Sequence, residues 1–475
     1  MFEKESIRAS MLIGDCRYVN HISLILIAFI YNMLLRYILL FAVIANSFFT
    51  FVCRNSLYVS IVSMVSANAT TTNFSSKDHF QCPTKTHAKA TNQVQLIKGF
   101  DWTTAEVNMI LSAYYLTYTL FSLFLGVVVE YVSPSITLLL AKLVHGCLHF
   151  ITPFVAYYGA GYVTFVRLLM GVSAALSYPA TFALLKRVAH DDELSTAANL
   201  SHAMSGFGCI AASFFTGWIC SATQFGGWKM SFYSSGGVEI LYVVVLSLFL
   251  KTLISFEKNY RDSILQNERD PMKFGKAQAK WKLFFDWKVY GLAYSYFAFG
   301  IIQRLTWMYV PQYLFSVMHF SIFENGLLSS VPLITFTITL LFSILVIGLL
   351  INHLSFNPRK VHSLFFTFFN VSAFLISLST QYIGCNGIFA VLLFATWSFL
   401  TAISCTHVIA VVPHYDRHIG IVSGITNTFS NAPGILIPVI INAFTAQDIG
   451  NSENWVQTSW RSQISMGKQD MIPQT

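Results

Sequence analysis

The chain has 475 residues, and its composition excludes an ordinary soluble protein. Hydrophobic residues make up 55% and charged residues 11% of the sequence, against roughly 25% charged residues in an average soluble domain. The formal net charge of +8 rests on few charged side chains, which excludes a nucleic-acid-binding surface and instead indicates loops that face an anionic membrane leaflet. The lipid bilayer is therefore the expected partner of most of the chain.

Eleven apolar segments can cross a bilayer as helices, which takes about 20 residues each because lipid forces the backbone to form its hydrogen bonds internally. The predicted spans are 37–66, 104–130, 134–157, 161–187, 196–219, 230–251, 288–316, 325–352, 362–382, 386–412 and 419–445. The earlier apolar segment 22–35 is too short to span. Residues 1–36 are therefore interpreted as a cytosolic N-terminal segment with an apolar lead-in.

The distribution of Lys and Arg sets the expected orientation. The segment 252–287, between the sixth and seventh spans, is rich in both residues, which places this linker in the cytosol by the positive-inside rule. The loop 67–103 carries the sequons Asn68-Ala-Thr and Asn73-Phe-Ser, which are glycosylated only in the lumen or outside the cell. Both signals place the N-terminus in the cytosol and predict glycosylation of Asn68 and Asn73.

The spans divide into two groups around the charged linker. Residues 37–251 form a predicted six-helix bundle and residues 288–445 a predicted five-helix bundle. Two bundles around a midplane cavity are the architecture of major facilitator secondary transporters. We therefore expect an all-α polytopic membrane protein of that fold, with about eleven transmembrane helices.

The tail 446–475 is polar and far short of the apolar length that a further span requires. The twelfth helix of the fold is therefore expected to be missing, with the C-terminus outside the cytosol. A splice variant or gene-model error and a genuine short form are both open as its cause.

Three segments carry a family resemblance. They read Arg54-Asn-Ser-Leu-Tyr-Val-Ser-Ile-Val-Ser-Met-Val65, Ile110-Leu-Ser-Ala-Tyr-Tyr115 and Gly420-Ile-Val-Ser-Gly-Ile-Thr-Asn-Thr-Phe-Ser-Asn-Ala-Pro-Gly434. They are similar to the patterns R-x-N-L-S-V-A-I-V-A-M-V, I-L-S-S-F-F and G-x-L-x-G-I-T/S-N-T-x-A-T-I-P-G of solute carrier family seventeen. That anion–cation symporter branch includes vesicular glutamate transporters, sialin and type I sodium–phosphate cotransporters. The resemblance implies anion transport, with arginines at the positions of Arg54 and Arg167 contacting a substrate carboxylate.

The fourth span departs from the family pattern R-x3-G-x2-E-G-x3-P-A. Arg167, Gly171 and Pro179 match the pattern, but Ala174 stands in place of the glutamate and Ala175 in place of the second glycine. The lost carboxylate is a titratable group, and intramembrane carboxylates mark proton pathways. We therefore expect transport to depend less on a proton gradient than in glutamate-bearing relatives, with anion binding retained.

Charged residues inside the spans are the candidate substrate contacts, because an ionised group in the bilayer costs about 2.5–3.5 kcal/mol on insertion scales and usually faces a cavity. A guanidinium offers a fixed fork of donors that suits a carboxylate or phosphate. Arg54 and Arg167 are therefore favoured as substrate contacts over arginines that tie helices together or reach an interface. Arg304 is a third candidate, because some relatives carry a substrate arginine about two turns earlier in this span. An interfacial role for Arg304 is equally open. Asn427 is a fourth, with helix–helix hydrogen bonding equally open.

Glu239 and His202 are the candidates for ion coupling. Glu239 is the only acidic residue well inside a predicted span, so it either replaces the lost glutamate or pairs with a nearby cation, and pairing is favoured. A histidine such as His202 titrates near neutral pH, although a histidine satisfied within the core is the commoner outcome. Lys142, His145 and His149 lie near one helical face and supply too few ligands for zinc, so no metal site is predicted.

The leading hypothesis is a secondary active transporter of small organic or inorganic anions, carboxylates or phosphate, that works by alternating access. The alternative is a transport-inactive relative that acts as a receptor or interaction protein, for which Ala174 is the evidence. No P-loop, G-x-S-x-G or H-E-x-x-H motif occurs, so neither an enzyme nor a cofactor is expected. The coupling ion can be H⁺ or Na⁺. The sequence is compatible with a location in the plasma membrane and in an intracellular vesicle or lysosome membrane. It does not identify the substrate or the oligomeric state.

Overall fold

A computed structural model describes residues 2–65, 99–190, 193–222, 224, 226–268, 287–352, 358–377, 379, 385–409 and 419–445. The sequons at Asn68 and Asn73 and the tail 446–475 lie outside the described residues. The helices of this part are α1 Phe2–Met64, α2 Thr104–Tyr131, α3 Pro134–Ala156, α4 Ala160–Val188, α5 Leu194–Ser221, α6 Trp228–Leu248, α7 Leu250–Glu268, α8 Trp287–Arg304, α9 Val310–Ser316, α10 Ile322–Asn352, α11 Pro358–Ser377, α12 Gly387–Ile409, α13 Ile419–Asn431 and α14 Pro433–Thr445.

Nine segments of the described chain are helical, long and apolar enough to cross a bilayer, and they match the first to sixth, eighth, tenth and eleventh predicted spans. The seventh predicted span is divided by a π-turn, Leu305–Tyr309, between α8 and α9. The ninth corresponds to α11, in which the described apolar stretch is Leu364–Ala373. The prediction of an all-α polytopic fold is confirmed.

The second helix of each bundle, α2 and α10, begins with the same capping arrangement. The Thr103 hydroxyl accepts the Glu106 N–H at 3.2 Å, and the Glu106 carboxylate accepts the Thr103 N–H at 2.8 Å. Ser321 and Glu324 repeat both bonds at 3.3 and 2.9 Å. Such a box satisfies N–H groups that a helix start leaves unpaired. The repeat in sequence and geometry supports two related halves.

Two helices extend beyond the predicted spans. Helix α1 is continuous from Phe2 to Met64, so the apolar lead-in joins the first span, whose apolar part begins at Met33. Helix α7 begins at Leu250 and occupies much of the segment interpreted as the cytosolic linker. The domain boundaries at 36, 251 and 287 stay predictions.

Two carboxylates join helices of the first half. Glu257 of α7 accepts the Ser135 N–H at 2.8 Å and lies 3.4 Å from the Arg187 guanidinium. Glu193, before α5, accepts hydrogen bonds from Arg36 at 3.2 Å and from the Tyr37 hydroxyl at 3.1 Å. Desolvation raises the pKa of the Glu193 carboxyl, but the His190 N–H, the Tyr37 hydroxyl and the Arg36 charge outweigh it and lower that pKa.

The two halves meet along α2 against α13 and α14, and along α5 against α10. Glycines allow the close approach. A Cβ at Gly217 of α5 would lie 2.7 Å from the Gly326 Cα of α10, and a Cβ at Gly424 of α13 would lie 2.8 Å from the Ser122 carbonyl oxygen of α2. Small residues let helix backbones pack directly against each other in a membrane. This packing encloses the side chains described next.

Candidate functional site

Three arginines of the membrane-spanning helices lie inside the helix bundle, and we call them the arginine cluster. Arg54 on α1, Arg167 on α4 and Arg304 at the end of α8 expose 2%, 1% and 2% of their surface. The Cζ atoms of Arg54 and Arg304 lie 5.8 and 4.7 Å from the centroid of the Tyr115 ring. The Tyr115 hydroxyl lies in the field of all three charges. The structure therefore brings the three predicted arginines together.

Aromatic rings support the guanidinium groups of the cluster. The Arg54 Cζ lies 3.8 Å from the Phe51 ring centroid and 5.9 Å from that of Trp307, and the Arg167 Cζ lies 4.7 Å from that of Tyr114. Ring faces attract cations through their quadrupole. These contacts fix the arginines in place while leaving their N–H groups for a ligand.

Most N–H donors of the cluster have no protein acceptor among the described residues. None of the three nitrogens of Arg167 is hydrogen-bonded, and Nε and Nη2 of Arg54 and Nε and Nη1 of Arg304 are also unpaired. The ion pairs found in the described chain use other cations. Because a buried unpaired charge is costly, this arrangement fits the binding of an anion, and a carboxylate or phosphate accepts the guanidinium fork directly.

Asn427 belongs to a hydrogen-bonded chain that begins at Arg304. The Arg304 Nη2 donates to Asn431 Oδ1 at 2.7 Å, and Asn431 Nδ2 donates to Asn427 Oδ1 at 2.8 Å. Asn427 Nδ2 donates to Ser122 Oγ of α2 at 3.3 Å. The chain crosses from α8 and α13 in the second half to α2 in the first. Asn427 therefore links helices and is connected to Arg304 through Asn431.

Glu239 lies in a second buried group, the Lys142 cluster, made of Lys142, His145 and Glu239. Glu239 on α6 forms an ion pair with Lys142 and a 2.8 Å hydrogen bond with the His145 Nδ1, and both partners lie on α3. The three residues are fully buried. These contacts favour pairing with a nearby cation over replacement of the family glutamate.

Metal binding at the Lys142 cluster is disfavoured by its own lysine. Cys53, His145 and Glu239 place three ligand atoms within 4.8 Å of one another in the described structure. The Lys142 ammonium already contacts the carboxylate, and like charges at such short range repel strongly in a buried site. The donor set therefore fits an internal ion pair better than a metal site.

The remaining predicted residues occupy distinct places. His202 packs beside the Phe299 and Phe336 rings, at 5.9 and 6.3 Å between centroids, within the field of Arg304 and Arg54. Its Nε2 has no protein acceptor among the residues that the structure describes. His202 therefore borders the arginine cluster, whereas Ala174 is a buried apolar residue with 2% exposure.

Sequence reasoning missed Tyr114, Tyr115 and Asn431. The signal was present in the family patterns, which have Phe-Phe where this chain has Tyr114-Tyr115, and Thr where it has Asn431. The added hydroxyls lie within the site: the Tyr115 hydroxyl is 2.5 Å from that of Tyr58, and the buried Tyr114 hydroxyl has no partner in the described structure. A single substitution relative to the family pattern does not indicate a site residue by itself, and the structure was needed to show that these residues lie close to the arginine cluster.

Comparison with known proteins identifies the family. The sequence model of the Major Facilitator Superfamily matches residues 46–438. The chain belongs to this superfamily. Sialin from Ovis aries is 24% identical over 424 residues, covering 87% of this chain and 83% of sialin. A putative inorganic phosphate cotransporter from Drosophila melanogaster is 22% identical over 417 residues, covering 85% of this chain and 77% of the relative.

A solved structure shares the fold of this major facilitator protein. The xylose transporter XylE from E. coli, in a partially occluded inward-open conformation, superposes with a TM-score of 0.61 at 12% identity and covers 92% of this chain and 97% of its own. The predicted resemblance to solute carrier family seventeen is confirmed by the relatives. The protein is a multi-pass membrane transporter and not an enzyme.

Proposed function

We propose that this transporter moves small organic or inorganic anions, carboxylates or phosphate, across its membrane by alternating access around the arginine cluster. The observation that carries the proposal is the set of three buried guanidinium groups without a described carboxylate partner. A bound anion would neutralise part of that charge. In facilitators, sites of this kind lie between the two halves, which rock around them.

The relatives support an anionic substrate. One relative is named for inorganic phosphate, and phosphate and carboxylates share the oxygen acceptors that guanidinium donors recognise. His202, at the border of the cluster, is a candidate for coupling to H⁺, whereas the paired Glu239 is disfavoured. A vesicle, lysosome or plasma membrane is compatible with this function.

Uptake into proteoliposomes tests the proposal. Purified protein is reconstituted, and saturable uptake of radiolabelled phosphate, glutamate and gluconate is measured under imposed pH, sodium and voltage gradients. We expect uptake of at least one anion that an excess of the same unlabelled anion inhibits. Liposomes that contain an Arg54→Gln, Arg167→Gln, Arg304→Gln triple variant are the control and should show only background uptake.

A second candidate function rests on Ala174, which removes a carboxylate that the family carries in the fourth span. In this alternative the protein binds an anion but does not transport it, and acts as a receptor. Anion-dependent thermal stabilisation of the purified protein without flux would favour the receptor. Saturable flux would exclude it, and the absence of both binding and flux would contradict both functions.

A further inference from the structure

Arg304 lies at an irregular point of the seventh span. It is the last residue of α8, and the π-turn Leu305–Tyr309 follows it directly. A π-turn inserts an extra residue into a helix, shifts the register of side chains around it, and occurs frequently at functional sites. Some relatives in the family carry a substrate arginine about two turns earlier in this span, so Arg304 stands at a different point of the helix from theirs.

Two departures from the family patterns meet at Arg304. The first is Tyr115, a phenylalanine in the pattern, whose ring centroid lies 4.7 Å from the Arg304 Cζ. The second is Asn431, a threonine in the pattern, whose Oδ1 accepts the Arg304 Nη2 at 2.7 Å. The three residues come from α2, α8 and α13, and Asn431 is 127 positions from Arg304 along the chain. Their convergence on one guanidinium indicates a rebuilt contact.

Asn431 suits the task of holding a cation without neutralising it. Its amide oxygen is a neutral acceptor, so the positive charge of Arg304 stays available, and the Arg304 Nε and Nη1 have no acceptor in the described structure. Its amide nitrogen donates to the Asn427 carbonyl oxygen at 2.7 Å and to Asn427 Oδ1 at 2.8 Å, which fixes the orientation of the side chain. A threonine hydroxyl sits closer to its backbone and has a single hydrogen to donate, so it cannot make both of the bonds that Asn431 donates to Asn427.

We propose that Asn431 is the positioning residue that aims Arg304 at the substrate anion and thereby sets the anion affinity of the second half. The inference rests on the proposed function and adds to it a residue that sets the affinity for the anion. Arg304 contacts the anion through Nε and Nη1, and Asn431 acts only through Arg304.

A charge-changing substitution of the same shape tests the role. In Asn431→Asp the carboxylate neutralises Arg304 and competes with the substrate. We expect the KM for the best-transported anion, or the apparent Kd for inorganic phosphate from thermal stabilisation, to rise at least about tenfold, because hydrogen bonds to charged groups are the strong ones. The maximal rate should stay within about twofold of wild type. In an Arg304→Gln background the same substitution should change KM by less than about twofold, because coupled residues are not additive.

Two further measurements separate positioning from folding. Asn199→Asp is the matched control, because Asn199 is also buried and donates to a carbonyl oxygen of its own helix, at 3.0 Å, but does not contact the arginine cluster. It should leave KM unchanged. Asn431→Asp also loses the two bonds that Asn431 Nδ2 donates to Asn427, so its melting temperature should fall less when Arg304 is present than in the Arg304→Gln background, because only the arginine compensates for the new carboxylate.

The outcomes distinguish this inference from the proposed function. An unchanged KM in Asn431→Asp, or an equal increase in the Arg304→Gln background, would overturn the positioning role while anion transport by wild type stands. If wild type neither transports nor is stabilised by any anion, the proposed function fails. The role of Asn431 in anion affinity then fails with it, even if the melting temperatures confirm the Arg304–Asn431 contact.

Discussion

The arginine cluster and the Lys142 cluster are both buried and both charged, but they are satisfied in opposite ways. In the Lys142 cluster a carboxylate contacts an ammonium and an imidazole. In the arginine cluster the guanidinium groups contact rings and one amide, and most of their donors lack an acceptor in the described chain. A buried charge that is paired with an opposite charge needs no partner outside the fold. A buried cation without an acceptor is balanced when an anion binds. We therefore interpret the Lys142 cluster as structural and the arginine cluster as the proposed anion site.

The two clusters are neighbours through one side chain. The Tyr114 ring lies 4.7 Å from the Arg167 Cζ and 6.1 Å, between centroids, from His145. Changes in one cluster can therefore be compared directly with changes in the other.

The largest effect is expected where the satisfied cluster is broken. Glu239→Gln leaves the buried Lys142 ammonium hydrogen-bonded to the Thr50 hydroxyl but without a carboxylate to balance its charge. Breaking a buried ion pair in this way costs about 3–5 kcal/mol, whereas replacing both partners by neutral residues is far less destabilising. We expect a strongly lowered melting temperature for Glu239→Gln in detergent, with most of the loss recovered in Lys142→Met, Glu239→Gln. Wild-type melting of Glu239→Gln together with a lost response to a proton gradient would instead assign Glu239 to coupling.

The next effect concerns the unsatisfied cluster. Arg167→Ala removes an unpaired cation, so stability should change little or rise, while anion uptake falls to background. Lost hydrogen bonds to a charged group cost about 1.5–3 kcal/mol, which is a loss of at least about tenfold. Arg167→Lys should also fail largely, because a point charge does not replace the planar fork. Normal uptake by Arg167→Ala at equal surface expression would remove Arg167 from the site.

A smaller effect is expected at the residue between the clusters. Tyr114→Phe keeps the ring beside Arg167 and removes only the buried hydroxyl, which has no partner in the described structure. If that hydroxyl donates to the substrate, its loss costs about 0.5–1.5 kcal/mol, or roughly two- to tenfold in KM. Tyr242→Phe, which removes a buried hydroxyl that donates to the Ala42 carbonyl oxygen at 3.0 Å, is the comparison for a general effect of hydroxyl loss. Equal KM values for wild type and Tyr114→Phe would place the hydroxyl outside the anion site.

The smallest effect concerns the proton gradient. Because Ala174 replaces the family carboxylate, collapsing the gradient should lower wild-type uptake by less than about twofold. Ala174→Glu should increase that dependence, and Ala174→Gln, with the same shape and no charge, should not. Uptake measured with and without a protonophore compares the three proteins. A strong gradient dependence in wild type that Glu239→Gln leaves intact would contradict the expectation and direct attention to His202.

The sequence by itself determined the membrane class, the family and nine of the eleven predicted spans. Hydrophobic length fixes where a helix can cross lipid, because the backbone must satisfy its own hydrogen bonds there. The cost of an intramembrane charge drew attention to Arg54, Arg167 and Arg304 without any structure. The interruption of the eleventh span was also predictable, since α13 ends at Asn431 and α14 begins at Pro433, and proline cannot donate the backbone hydrogen bond of a continuous helix.

Only the tertiary structure decided which charges are satisfied. Glu239 and His145 are 94 positions apart, so local spacing gives no sign that α6 and α3 bring them together. The same holds for Arg304 and Asn431, and the π-turn beside Arg304 has no periodic signature of its own. The sequence shows that a charged side chain inside the bilayer costs free energy, but it does not show which residues surround that side chain. Those neighbours decide whether the charge is paired within the bundle or is left to bind a substrate.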